Sequence, residues 1–493
     1  MKKIGLKHNF VHQKRNELEL PTTVESCHVL IKNLLSIIEH QQKRIDELTS
    51  RVAELEARLN QNSGNSSRPP SSDGPKRKPG IPKDSKGQGG QKDHKGNTLR
   101  KVEHPDHIVR LTTAVCGCGL PLDTDGGQVE QTYQVFDLPE PKLEVTEYQR
   151  IRQRCVCGCE HLGALPAGVH ASVQYGSGVR ALTVLLNNSC QISYEKVRSL
   201  FSDLFGYDLN ESTAVSNNEL AYERLETTEN KIKEALIKGE VTHFDESGIK
   251  VGIKLKWLHT ACSTLFTYLF VSQNRGGPVH QTEASILSRI KNWAVHDCYG
   301  TYFKFNNCRH ALCNPHILRE LQAQVEQGKL WATDLQTFLL ELYKKSEKGT
   351  KIVPDIAAEK DKWLKMCKSA IQIEELLLPK KISPKPGQKK KRGRKERGKA
   401  LSLLDRLVEH SNAILAFAEY EAVPFSNNQA ERDIRPVKTK QKVAGCFRTD
   451  QGADRYARIQ GFISTCRKHQ LNVFNELRAV CSTADLYVAP FGC

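Results

Sequence analysis

The chain has 493 residues, enough for about three domains, and a hydrophobic content of 38% excludes disorder throughout. Lysine and arginine outnumber aspartate and glutamate by 73 to 56, and the net charge of +17 favours polyanionic partners such as nucleic acids. No apolar stretch reaches the ~20 residues of a membrane span, and the first residues lack the apolar core of a signal peptide. We therefore expect a cytoplasmic protein with no membrane partner.

Residues 24–60 are predicted to form a coiled coil. Apolar residues recur at every seventh position in two rows, which only Gln41 interrupts: Val24, Ile31, Ile38, Ile45, Val52 and Leu59 in the first, and Cys27, Leu34, Leu48 and Leu55 in the second. So narrow a stripe over so many heptads needs a second helix to cover it. β-Branched residues in the first row and leucine in the second favour a parallel homodimer. The alternative is a helix that packs on the protein's own body.

Residues 61–98 are predicted to be a basic disordered linker. This stretch is rich in Ser, Gly, Pro, Lys and Asn and has almost no large apolar side chains. It cannot bury enough surface to offset the entropy of ordering it.

Residues 99–172 are predicted to form a zinc-ribbon domain. Sixteen cysteines are too few for a disulfide scaffold, but five of them lie between Cys116 and Cys159. Two matching Cys-x-Cys-Gly elements contain Cys116 with Cys118 and Cys155 with Cys157. Four thiolates from two tight turns are typical of structural Zn²⁺, although the usual turn is one residue longer. Cys159 could replace Cys155 or Cys157, and reduced thiols without metal are the alternative.

Residues 173–236 contain three predicted helices with a turn at 206–208. The spacing fits a helix-turn-helix whose last helix would enter a DNA major groove. An ordinary three-helix subdomain fits the same spacing.

Three distant acids carry the predicted chemistry. Strand patterns at 240–245, 250–260 and 265–271 predict an antiparallel meander, followed by a helical stretch at 282–290 and a strand at 293–296. Asp245 and Asp297 are predicted at strand ends, and Glu431 in the first turn of a helix, beginning near Asn427, that an Asn side chain would cap. A single acid at a strand end is ordinarily a turn former. Three acids over one sheet edge would instead repel unless divalent cations such as Mg²⁺ or Mn²⁺ neutralise them.

The sequence resembles the DDE transposases of the bacterial insertion-sequence family numbered sixty-six. The matching segments are 65–73, 89–91 with His94 and Gly96, both cysteine elements, 174–176, 245–248, 296–297, 310–316, 427–435 and 445–448. The resemblance implies a ribonuclease-H-like α/β catalytic core and identifies Asp245, Asp297 and Glu431 as its catalytic, magnesium-binding triad. Glu246 and Asp433 are near neighbours that could be mistaken for members of that triad.

A second cysteine-rich segment contains Cys308, His310, Cys313 and His316. The spacing allows a second zinc site, but these residues do not share one face of a strand or helix. We therefore predict a buried strand that continues into a helix.

The core is predicted in two parts, 237–327 and 401–484, separated by a helical insertion at 328–400 with helices at 331–344 and 361–377. The insertion ends in a strongly basic run around Arg392 and Arg394, which would bind a DNA minor groove or make unspecific phosphate contacts. Further DNA-binding candidates follow the third acid: Arg432, Arg435, Lys438, Lys440 and Lys442.

Together with these features, the resemblance implies a multidomain α+β transposase. It would bind terminal inverted repeats, cleave DNA strands with metal-activated water and join the freed 3′-hydroxyl to target DNA. The expected partners are DNA, a second copy of the chain through the coiled coil and accessory transposition proteins, at the nucleoid. A non-catalytic zinc-containing DNA-binding regulator and a nuclease without strand transfer are the alternatives.

Overall fold

The computed structural model describes residues 23–62, 64–66, 99–126, 128–377, 397–482 and 487–491, and within these ranges it is a mixed α+β fold with thirteen α-helices. The chain divides into two compact units, one of residues 1–74 and 319–330 and the other of 75–318 and 331–493. Most of the predicted linker, and the basic run with Arg392 and Arg394, lie outside the described residues. None of the described helices has the length and apolar character to traverse a membrane.

The first unit is dominated by one long helix, α1 (Val24–Leu59), which confirms the helix predicted from the heptads. Its apolar heptad residues other than Cys27 are about half exposed or more, from 47% at Leu55 to 84% at Leu59. The chain turns back after the helix because the buried Asn65 side chain donates hydrogen bonds to the Asn60 carbonyl at 3.0 Å and to Glu326 Oε2 at 2.6 Å.

The remaining strands and α-helices of the described residues come in four runs along the chain: two strands, four helices, five strands and eight helices. In chain order they are β1 (Arg152–Arg154), β2 (Glu160–Leu162), α2 (Ser177–Asn188), α3 (Tyr194–Phe205), α4 (Glu211–Arg224), α5 (Glu226–Lys238), β3 (Val241–Val251), β4 (Lys254–Cys262), β5 (Thr267–Ser272), β6 (Trp293–His296), β7 (Arg309–Leu312), α6 (Asn314–Val325), α7 (Leu330–Lys345), α8 (Ile356–Leu376), α9 (Gly398–Glu409), α10 (Ser411–Glu419), α11 (Asn428–Ala444), α12 (Asp450–Lys468) and α13 (Val473–Cys481).

Five strands form one mixed sheet in the order β5-β4-β3-β6-β7. β3, β4 and β5 are antiparallel, which confirms the predicted meander, and β6 and β7 run parallel to β3. β3 continues to Val251 because Ile249 and Val251 keep alternating into the core, so Asp245 lies within the strand and the prediction that it ends one is wrong. The stretch predicted as a helix at 282–290 contains only a short 3-10 helix, Leu287–Arg289.

The sheet is covered on both faces. Even-numbered β3 residues such as Phe244 belong to a core with α5, α12 and α13, whereas odd-numbered ones such as Ile249 pack against Ile434 of α11. Asp245 therefore shares its face of the sheet with the residues that contact α11. α12 can lie close to β5 because Gly461 has no side chain. A Cβ at this position would lie only 3.0 Å from the Thr267 carbonyl oxygen.

The predicted helix-turn-helix region contains α2, α3 and α4, with Gly206 in the left-handed conformation at the turn (φ +66°). α4 packs against α2, α3, α12 and α13 and buries Ala214, Asn217 and Ala221. Its exposed positions include the acids Glu211 and Glu223. This packing favours the ordinary three-helix alternative, and the helix-turn-helix stays a prediction.

The predicted helical insertion is confirmed as helical by α7 and α8. These helices are joined by a buried hydrogen bond of 2.8 Å from Trp331 Nε1 to Glu374. α8 then packs against α9 and α10, and α10 packs on β7.

Candidate active site at the edge of the sheet

The register of the parallel strands aligns the first two predicted acids. His243 of β3 pairs with Val295 of β6, and Val295 pairs with Ala311 of β7. Asp245, Asp297 and Cys313 each follow one of these paired residues by two positions. Because the three strands are parallel, these residues occupy one row across the sheet. The row is continuous with the ladder because the Cys313 N–H donates to the His296 carbonyl at 2.9 Å.

Asp245 lies in a strongly negative environment. Burial raises the pKa of its carboxyl group well above the usual range, and the nearby charges of Glu246, Asp297 and Glu431 raise it further. The Glu246 N–H partly offsets this by donating to Asp245 Oδ1 at 2.8 Å. The structure thus brings Asp297 and Glu431 within electrostatic reach of Asp245, an arrangement that a bound cation would stabilise.

Asp297 directly follows β6 and is held by a turn in which the Tyr299 N–H donates to Asp297 Oδ1 at 2.9 Å. The residue before it, His296, is fully buried and stacks on Tyr302 with ring centroids 4.4 Å apart. Burial lowers the pKa of His296 to about 3, so it is a neutral part of the core beneath the acids.

Asn427 positions the helix that carries Glu431. A cap by an asparagine side chain was predicted for α11, but Asn427, at the cap position, makes no cap hydrogen bond with its side chain. Its amide instead donates to the Phe244 carbonyl at 2.7 Å, and its Oδ1 lies 2.8 Å from His243 Nδ1. The Phe244 carbonyl comes just after the last residue pair between β3 and β6. A buried carbonyl at this point needs a hydrogen-bond donor from outside the strand ladder. The first turn of α11 is thereby fastened to the strand residues next to Asp245.

Glu431 also joins a second group of side chains. Among the described residues, one set of three could hold a metal ion, with ligand atoms all within 4.8 Å of one another: Cys313, His316 and Glu431. His316 Nε2 lies 3.9 Å from Glu431 Oε1. The oxygens of Asp245, Asp297 and Glu431, all described residues, do not form such a set, whereas Glu431 forms one with Cys313 and His316.

The four residues of the second cysteine-rich segment divide into two pairs. Cys308 and His310 lie 4.0 Å apart and both contact the Phe305 carbonyl, whereas Cys313 and His316 lie beside Glu431. The predicted strand that continues into a helix is confirmed by β7 and α6. The spacing of this segment could not reveal the set that Cys313 and His316 form with Glu431, because Glu431 is far away in the chain.

Glu246 and Asp433 have partners of their own. The Glu246 carboxylate, 2% exposed, accepts hydrogen bonds from Arg275 Nε at 2.7 Å and from the Tyr302 hydroxyl at 2.5 Å. Asp433 forms a buried ion pair of 2.6 Å with Lys468. Both acids hold elements of the fold together.

Arg275, on the loop after β5, was not found by the sequence analysis. Its guanidinium lies over the rings of Tyr299 and Trp257, at 4.3 and 5.0 Å from their centroids, and remains 40% exposed. Only the tertiary structure places this cation beside Glu246 and Asp297.

The predicted DNA-binding residues of α11 differ in exposure. Arg432, Arg435 and Lys442 are exposed, and Lys438 Nζ donates to the Gly248 carbonyl at 2.8 Å. Lys440 is buried, donates to the Asn187 carbonyl at 2.8 Å, and has a pKa lowered to about 8 by burial. Lys440 is therefore an internal contact rather than a surface for DNA, which corrects the prediction.

The two predicted zinc knuckles have the same backbone turn. In each, a glycine N–H donates to the carbonyl of the first cysteine at 2.8 Å, and Gly119 and Gly158 have φ of +89° and +88°. Hydrogen bonds within the turns lower the thiol pKa of Cys116 and Cys157. No three of the knuckle thiols, all of which lie in described segments, come within 4.8 Å of one another.

Carboxylates gathered at one place, as at this sheet edge, are the ligands through which enzymes commonly bind Mg²⁺ together with substrate phosphates. A family model described as Transposase IS66 family matches residues 172–455, more than half of the chain, and the chain therefore belongs to this family of insertion-sequence transposases. Membership implies DNA as the substrate. A second model, described as a family of unknown function, matches residues 16–100. A search of the curated proteins found no match.

Proposed function

We propose that the protein is a DDE transposase that cleaves and joins DNA at a divalent-metal site formed by Asp245, Asp297 and Glu431. The observation that carries this proposal is the strand register, which sets Asp245 and Asp297 side by side beneath the start of α11. The sheet order, with three antiparallel strands followed by two parallel ones, supports a ribonuclease-H-like core.

The donor set fits magnesium or manganese, because all three ligands are carboxylates and hard cations prefer oxygen. Bound ions would supply Lewis-acid stabilisation to the oxygens of an in-line phosphoryl displacement. Asp245 and Asp297 would hold the site on the rigid sheet, and Asn427 would orient Glu431 through its contacts with β3. Water would first cleave the element end, and the freed 3′-hydroxyl would then attack target DNA, so no covalent protein intermediate is needed.

Cations around the acids would hold the DNA backbone. Arg432, Arg435 and Lys442 extend along the exposed side of α11, and Lys438 lies near Asp245. Arg275 offers a guanidinium that is 40% exposed and lies over the ring of Tyr299, in the turn that follows Asp297. Phosphate contacts of this kind position DNA without reading its sequence.

Cleavage of plasmids that carry the element's inverted repeats tests the proposal. We expect Mg²⁺-dependent cleavage by the wild-type protein and none by Asp297→Ala, with Glu240→Gln, an exposed acid one residue before β3, as the charge-matched control. Equal DNA binding without cleavage in any divalent ion would instead indicate the non-catalytic regulator. Cleavage without joining of a pre-cut end to a plasmid would indicate a nuclease.

We also propose that α1 pairs two chains so that two active sites can act on two DNA ends. Heptad residues such as Ile38 and Ile45 are 58% and 55% exposed, and a partner helix would cover them. The double variant Ile38→Lys with Ile45→Lys should convert a particle of twice 55.5 kDa into a monomer in analytical ultracentrifugation. His40→Lys, outside both rows, should leave the mass unchanged. A wild-type monomer would contradict the pairing.

The knuckle cysteines are proposed to bind one structural Zn²⁺ in a ribbon that helps to recognise the inverted repeats. The double variant Cys118→Ser with Cys157→Ser should lower the zinc content by one ion per chain in plasma mass spectrometry. Cys190→Ser, an exposed thiol outside the knuckles, should not change it. Separate Cys155→Ser and Cys159→Ser variants identify the remaining ligand, and unchanged zinc in the double variant would argue against the ribbon.

A further inference from the structure

Cys313, His316 and Glu431 are brought together by three different elements. Cys313 follows β7, His316 lies in the first turn of α6, and Glu431 lies in the first turn of α11. Their ligand atoms lie within 4.8 Å of one another. Donors around a tetrahedral zinc ion are about 3.5 Å apart, so small side-chain rotations would close the site.

The surroundings of the cluster suit a metal site. Cys313 is buried at 1% exposure, whereas the side chains of His316 and Glu431 are 21% and 36% exposed, which leaves a path from solvent. The backbone N–H of Asn427 donates to Cys313 Sγ at 3.2 Å and so fixes the sulfur at the start of α11. Hydrogen bonds of this kind orient ligands and tune bound metals.

The donor chemistry differs from that of the acid row. A thiolate, an imidazole and a carboxylate form a mixed, softer set, which favours Zn²⁺ over Mg²⁺. Three protein ligands also leave a fourth position open on a tetrahedral ion.

We propose that Cys313, His316 and Glu431 bind a thiophilic divalent cation of the zinc class. A consequence, which rests on the proposed function, is that this ion competes with magnesium, because Glu431 would be a ligand in both sites. Glu431 then faces either Cys313 and His316 or the two aspartates. When zinc is bound, Glu431 is no longer a ligand of the magnesium site.

Cobalt(II) titration of the full chain tests the site directly, since a cobalt–thiolate bond has a near-ultraviolet charge-transfer band. The titration is done on a variant in which the five knuckle cysteines are changed to serine, so that only the other thiols can give the cobalt–thiolate band. We expect one cobalt ion per chain with a single-thiolate band, which Cys313→Ser removes. Cys308→Ser, a buried thiol in the neighbouring pair, should retain it.

His316→Gln provides a second variant should Cys313→Ser fail to fold, and it should weaken cobalt binding by at least about tenfold. The absence of a thiolate band in the knuckle-free background, or a band that Cys308→Ser removes and Cys313→Ser does not, would overturn the site. This readout needs no DNA, so it stands apart from failure of the proposed cleavage reaction.

The competition has its own test in the cleavage assay. Micromolar zinc should inhibit magnesium-dependent cleavage, and the zinc concentration for half-inhibition should rise in proportion to magnesium. Inhibition that added magnesium does not relieve would overturn the competition between the two ions.

Discussion

Changing Asp245 to Asn is expected to reduce DNA cleavage by about 10³-fold or more without lowering the stability of the metal-free protein. A metal site supplies several kcal/mol of transition-state stabilisation, and each 1.4 kcal/mol is a factor of ten in rate. The neighbouring charges of Glu246, Asp297 and Glu431 oppose ionisation of Asp245. The neutral amide removes this repulsion, so the unfolding temperature should stay the same or rise.

Glu240→Gln again serves as the control, since it removes one exposed acid close to the same strand. Cleavage rates and thermal unfolding are measured in parallel, with and without Mg²⁺. Magnesium should raise the unfolding temperature of the wild-type protein more than that of Asp245→Asn. A variant that still cleaves DNA would exclude Asp245 from the site, and a clearly less stable one would contradict the repulsion.

Changing Asn427 to Ala is expected to affect both stability and activity. The buried side chain satisfies the Phe244 carbonyl and contacts His243, and its loss leaves these groups without that partner. An unsatisfied buried group costs about 1–3 kcal/mol, so we expect the free energy of unfolding to fall by roughly 2 to 3 kcal/mol. Cleavage should fall by about 10²-fold, because Glu431 loses its anchor and small misplacements are costly in catalysis.

Asn428→Ala is the matched control, because its side chain is exposed at the next position of the same helix. Chemical denaturation gives the stability difference, and single-turnover cleavage gives the rate. Equal stability and rate for the two variants would show that Asn427 does not position the helix.

Local sequence patterns were sufficient for several elements. The heptad rows predicted α1, the turn at Gly206 separated α3 from α4, and the apolar run 293–296 matched β6 to the residue. Each of these signals lies within a short window, where periodicity and turn residues determine the backbone conformation. The identity of the three acids came from the resemblance to a family, whose model matches residues 172–455.

Other features depended on residues far apart in the chain. Asparagine is a common helix-capping residue, but in the folded chain the Asn427 amide donates a hydrogen bond to the Phe244 carbonyl of β3, 183 residues earlier. Lys440 resembles a DNA contact in a basic run, but α11 turns it towards Asn187.

The sequence by itself therefore determined the periodic elements and the excess of positive charge, and the resemblance to a family proposed the set of acids. The tertiary structure decided which ligands meet, including the set of Cys313, His316 and Glu431. Periodicity acts over a few residues, whereas strand register and helix docking depend on the packing of the whole core, and no local pattern records that packing.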